Sequence, residues 1–215
     1  MYYFNCNDME HRVISNPLFI EQEAVIVNQL FEIGLTLFHL RKPYSTKKDC
    51  QFFLNNIQES FHSRIIVHQY PSLIPEYGLA GIHLKEGIRQ EMSKSELDYM
   101  IKDYNCKKRF IGTSIHERKT LVSLNMNFDY VFLSPVFPSI SKPDYLPSED
   151  WRISDINIPV KLIALGGIDT NTLQKAYKMG FKEVAFLGAL WQNSNTVIKN
   201  YSKLCKQMTQ LDLMS

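Results

Sequence analysis

The feature that most constrains this chain is a series of short apolar runs, each followed by a longer stretch with helical spacing. In order they are HRVIS (11–15), LTLFHLR (35–41), RIIVH (64–68), AGIHL (80–84), RFIGTS (109–114), YVFLS (130–134), KLIAL (161–165) and EVAFL (183–187). Val, Ile, Leu and Phe dominate, and few runs alternate strictly with polar residues, which is the pattern of strands buried on both faces of a parallel sheet. Between them lie amphipathic stretches such as 20–33, where Ile20, Ala24, Val27, Leu30 and Phe31 share one side. Eight strand-then-helix units within 215 residues predict an α/β fold, a (β/α)8 or TIM barrel, in a single domain spanning 1–215. A doubly wound open sheet is the structural alternative, but it usually carries fewer strands. The segment QYPSLIPEYGL, between the third and fourth runs, is too short and proline-broken for a full helix, so one helical turn is expected there.

Bulk properties narrow the class of partner. The net charge is only +2, and the 24 basic residues are spread along the chain with no basic stripe, so no nucleic acid partner is expected. No run of eighteen apolar residues occurs, and MYYFNCNDMEHRVI has no basic start followed by an apolar stretch. No membrane association and a cytoplasmic location are therefore expected. Cys6, Cys50, Cys106 and Cys205 form no CxxC pair and are expected to stay reduced. An aromatic content of 12% leaves room for an apolar interface, and a homo-oligomer is expected.

In such a barrel the loops after the strands build the active site at the C-terminal face. The polar residues there are His39, Arg41 and Lys42, then His68, then His83, Lys85 and Glu86, then Ser114 and His116, then Ser134, Ser139 and Lys142, followed by Gly166, Gly167 and Gly188. The glycine pair Gly166–Gly167 lets backbone approach a ligand, and Asp169 or Thr170 could cap the helix behind it. With Gly188 after the eighth strand, the pair would sit where barrels commonly bind phosphate; a ligand-free tight turn is the plainer reading.

In LFHLRKP, Arg41 and Lys42 suit a phosphate or carboxylate, and His39, alternating with Arg41, points inward. A satisfied core histidine is an equal reading for His39. In IGTSIHERKTL, His116 is the candidate acid–base group. Ser114 could at the same time cap a helix in an S-x-x-E box with Glu117. Ser134, Ser139, Ser141 and Lys142 lie in LSPVFPSISKPDY, whose hydroxyls and ammonium could close over an anionic substrate. His68 and His83 also end strands, but no HxH or HExxH spacing exists, so no metal site is expected. Lys161 opens a strand, which is the wrong end for a Schiff-base lysine of an aldolase-type barrel.

As a set, HLR, GIHL, IGTSIH, DYVFLSPVFPSISK and IPVKLIALGGI resemble the thiamine phosphate synthase family, which includes the TenI-type thiazole tautomerases. The resemblance runs from VISNP to GFKEVAFLGALW, and it implies a thiamine-biosynthetic barrel that binds thiazole phosphate. In the synthase, thiazole phosphate is joined to a pyrimidine diphosphate with magnesium, and pyrophosphate is released. By motif, Gly166, Gly167 and Gly188 would border the thiazole phosphate, while Arg41 and Lys142 would face the pyrophosphate end. Gly188 stands where the family usually has a serine.

The synthase's Asn-Asp pair after the third strand is replaced here by His68–Gln69. The aspartate after the fourth strand is missing too, leaving Glu86 as the only carboxylate there. Magnesium is thus implied only if synthase activity is retained. The resemblance leans instead to the tautomerase, with His116 carrying a proton within a thiazole carboxylate phosphate; SPVFPSISK is more typical of the synthase. A non-catalytic thiazole phosphate binder is the third reading.

Overall fold

The computed structural model describes residues 10–124, 127–138, 150–154, 156 and 158–213. All eight predicted runs are strands: β1 Glu10–Ile14, β2 Leu37–Leu40, β3 Ile65–Val67, β4 Gly81–Leu84, β5 Phe110–Ile115, β6 Tyr130–Leu133, β7 Lys161–Ala164 and β8 Glu183–Phe186. They pair in parallel in chain order, and β8 closes on β1 with Val184 opposite His11 and Phe186 opposite Val13. Closure rules out the open-sheet alternative.

Helices on the outside are α1 Glu23–Glu32, α2 Lys47–Asn55, α3 Leu73–Tyr77, α4 Glu86–Glu91, α5 Lys94–Cys106, α6 Thr120–Ser123, α7 Leu173–Lys178, α8 Gly188–Trp191 and α9 Val197–Asp212. The single turn expected between β3 and β4 is α3. Helix α1 begins at Glu23 rather than at 20, because Gln22 takes a left-handed conformation (φ 57°) that interrupts the pattern. Its buried apolar face is Val27, Leu30 and Phe31, as the spacing predicts. Thr46 with Asp49 caps α2, and Ser93 with Glu96 caps α5, each satisfying backbone N–H groups that a helix start leaves unpaired.

The apolar runs are explained by burial on two sides. Val13, Phe38, Val131 and Val184 face outward into the layer shared with Val27, Leu30, Leu173 and Leu204 of the helices. Their neighbours Ile14, Phe132 and Ala185 face the barrel interior, with Ile66, Tyr130 and Ile163. The N-terminal end of the barrel is closed by ions. Arg12 contacts Glu183 at 3.2 Å and lies 4.0 Å above the Tyr130 ring, and Lys161 reaches Glu10 at 2.9 Å and Glu183 at 2.8 Å. Lys161 is thus at the end opposite the strand C-termini, where no Schiff-base lysine could serve.

Two local expectations are corrected. Ser114 does not cap a helix with Glu117: it lies inside β5, and the next helix opens only at Thr120. Thr170 does not cap α7. Thr172 directly precedes the helix but makes no side-chain cap bond; the capping contacts are those of Asp169, whose Oδ1 accepts the N–H groups of Asn171 (2.8 Å) and Thr172 (2.9 Å) while Thr172 Oγ1 accepts the Asp169 N–H at 2.9 Å.

Candidate active site

A cavity of about 600 Å³ opens at the C-terminal ends of the strands. Its wall includes Arg41 after β2, His68 after β3, His83, Lys85 and Glu86 from β4 and α4, Ser114 and His116 from β5 and beyond, Ser134 after β6, Gly166 and Gly167 after β7, and Gly188 after β8. Of the residues singled out in the sequence, Arg41, Ser134, His116, Gly166, Gly167 and Gly188 therefore meet in one place. Ser139, Ser141 and Lys142 lie outside the described residues.

Two of the expected site residues are placed elsewhere. Lys42 is fully buried, and its ammonium donates to Asn16 O (2.8 Å), Leu18 O (2.9 Å) and Glu23 Oε2 (2.5 Å). It therefore ties β2 to the start of α1 and is not part of the cavity wall. The physical reason is alternation: successive side chains at the strand end point to opposite sides, so Arg41 and Lys42 cannot both face the mouth. His39 is also fully buried and lies inside the barrel beneath the cavity floor, with Nδ1 3.1 Å from His68 Nε2.

The interior polar cluster continues from there. His68 and His83 stack at 4.4 Å, His83 Nδ1 is hydrogen-bonded to Tyr130 Oη at 3.1 Å, and His83 Nε2 to Ser114 Oγ at 2.8 Å. Burial pushes all three histidines below their ordinary range, that of His83 to about 3, with the Arg12 and Arg41 charges adding to the effect. They are neutral at physiological pH. Among the described residues His39 Nε2 finds no hydrogen-bond partner, and leaving a buried polar atom unsatisfied costs about 1–3 kcal/mol.

His116 follows β5 at the cavity rim, its side chain half exposed, and Nδ1 lies 2.5 Å from Glu86 Oε2. The same oxygen accepts the His116 backbone N–H at 3.2 Å. Glu86 Oε1 is held by Arg89 Nη2 at 3.2 Å; Arg89 Nε in turn donates to Thr113 Oγ1 at 3.2 Å, and that hydroxyl donates to Leu84 O at 2.8 Å. A chain of contacts from β4 and β5 thereby fixes one imidazole nitrogen, and among the described residues the other is left available. Sequence reading found His116 but not its partner, because Glu86 lies 30 residues away.

Arg41 and Lys85 add two cations to the wall. Among the described residues neither has a carboxylate partner, and burial lowers the basicity of Arg41 without threatening its charge. Their strand-end position was the only sequence signal for Lys85. Magnesium prefers several oxygen ligands. The described wall offers one carboxylate, Glu86, already engaged by His116 and Arg89, so the described residues do not fit a magnesium site.

The glycine pair has a second cause besides a ligand. Gly166 and Gly167 have φ of 92° and 64°, and the loop after β6 lies directly on them, Phe137 N donating to Gly166 O at 3.1 Å. A Cβ on Gly167 would stand 2.4 Å from Pro138 O and 2.7 Å from Phe137 Cβ. Gly167→Ala is expected to cost about 1–3 kcal/mol for the left-handed backbone alone. At about 2–4 °C per kcal/mol, thermal unfolding should show a lower Tm; an unchanged Tm would mean that the two loops do not need this approach.

A closed parallel barrel with two cations, an oriented imidazole and a glycine pair around one cavity at the strand C-termini has the architecture of a barrel enzyme. The sequence profile described as thiamine monophosphate synthase matches residues 13–190. The chain belongs to that family, and so to the enzymes of thiamine biosynthesis. It is 26% identical over 182 residues to the thiamine-phosphate synthase of Dictyoglomus turgidum, covering 79% of this chain and 76% of the relative. Against that of Lysinibacillus sphaericus it is 24% identical over 186 residues, covering 81% and 84%. The crystal structure of thiamine phosphate pyrophosphorylase from Bacteroides thetaiotaomicron superposes with a TM-score of 0.71 at 29% identity, covering 96% of this chain and 99% of the other. Among the described residues no helix is long and apolar enough to cross a membrane.

Proposed function

We propose that this protein binds a thiazole phosphate and moves a proton on it, as a thiazole tautomerase, with His116 as the proton carrier and Glu86 as its positioning residue. The observation that carries this reading is the Glu86–His116 pair at the cavity rim: the one carboxylate of the described wall orients an imidazole instead of waiting for a metal. An oriented imidazole can remove a proton from one ring position and return it to another, which is all that tautomerisation requires. Gly166, Gly167 and Gly188 offer backbone to the phosphate, and Ser134 a hydroxyl. Arg41 is suited to the carboxylate or to a second anion.

Thiamine phosphate synthase is the second reading, and a specific observation favours it: Arg41 and Lys85 bring two positive charges to one wall, as a diphosphate leaving group requires. The names of the relatives favour it too.

One experiment separates the readings. The purified protein is given the exocyclic thiazole tautomer in one reaction, and thiazole phosphate with pyrimidine diphosphate and magnesium in another. Formation of the aromatic tautomer alone supports the proposal; pyrophosphate release without tautomerisation overturns it in favour of the synthase. Tight binding with neither product would make the chain a carrier. In whichever assay is active, Arg41→Ala or Lys85→Ala is expected to raise KM for the anionic substrate by the equivalent of about 1.5–3 kcal/mol, the loss of a hydrogen bond to a charged group.

A further inference from the structure

Neither reading uses the cluster of His68 and His83 in the cavity wall with His39 beneath them. They come from adjacent strands: His39 from β2, His68 one residue past β3, and His83 from β4. Register brings them together. His39 stands opposite Ile66 and Val67 opposite Ile82, so the side chains of residues 68 and 83 meet at one level with residue 39 below. One ring nitrogen from each lies within 4.8 Å of the other two, and all three residues are at most 5% exposed. His68 and His83 also form part of the cavity wall.

We propose that His39, His68 and His83 bind one divalent transition metal ion of the zinc class, with a fourth position open to the cavity. Three imidazoles and no carboxylate select a borderline metal such as zinc or cobalt over magnesium or calcium, which want oxygen. Three protein ligands plus an open position is the arrangement of catalytic rather than structural zinc. The outer contacts suit it: a metal-bound histidine usually has its other nitrogen held, and Tyr130 Oη holds His83 Nδ1 while Ser114 Oγ, at His83 Nε2, can turn aside. Among the described residues His39 Nε2 has no hydrogen-bond partner, so their contacts leave the cluster unsatisfied. This site stands or falls independently of which thiazole reaction the cavity performs.

The test is titration of tag-free, metal-stripped protein with Co²⁺ and with Zn²⁺, read by visible absorption and by the metal content retained after desalting. One ion per chain is expected, with the intense d–d bands of four-coordinate cobalt, and azide should change those bands by entering the open position. His68→Ala and His83→Ala should each weaken binding by at least about 10–100-fold, while His116→Gln, at the exposed rim, should retain it. The wild-type cobalt spectrum needs no variant to fold. The weak spectrum of six-coordinate cobalt, absence of binding by folded protein, or binding that survives loss of His68 and His83 would overturn the site. Bands indifferent to azide would overturn the open position.

Discussion

His116→Ala should lower the turnover of tautomerisation by about 10²–10⁴-fold, the usual contribution of one general acid–base group, while KM for the phosphorylated thiazole changes little. The split matters because the imidazole handles the proton, whereas the phosphate would rest on the glycines across the cavity. Glu86→Gln should reproduce part of that loss in kcat, since an amide can still hold a ring N–H but cannot stabilise an imidazolium as a carboxylate does. Arg89 and Thr113 hold Glu86 in place, so both variants should fold, and circular dichroism would check it. Near wild-type turnover of His116→Ala would remove the imidazole from the chemistry.

The largest stability effect is expected at Lys42. Lys42→Met would leave Glu23 buried without its counter-charge, and breaking a buried pair from one side costs about 3–5 kcal/mol. Burial raises the Glu23 carboxyl above its ordinary range despite the attraction of Lys42, and burial lowers the Lys42 ammonium. Desolvation thus outweighs attraction at both partners, so the pair is costly to break without being strongly stabilising. Lys42→Met combined with Glu23→Leu should therefore be much less harmful than Lys42→Met alone. Chemical denaturation of the two singles and the double would show it; additive losses would mean that the charges are not coupled.

Much of the site was legible because a parallel barrel turns strand ends into an address. Arg41, Ser134, Gly166, Gly167 and Gly188 could be assigned to one cavity from position alone, since every βα loop opens on the same face. What failed was the direction of individual side chains. By type and position Lys42 pairs with Arg41 as one anion site, yet adjacent residues diverge at a strand end, and the ammonium is held by Glu23. The Ser114 cap failed because β5 continues to Ile115, and strand pairing with β6 outcompetes a local cap.

The order of apolar runs by itself determined the eight strands, their parallel sense and the cavity's location, because burial on two faces is written locally in residue type. Tertiary structure alone decided which side chains meet. The Glu86–His116 pair and the His39, His68 and His83 cluster join residues from separate strands and loops, so no local spacing announces them. Register between neighbouring strands, which comes from the closure of the whole barrel, sets those distances.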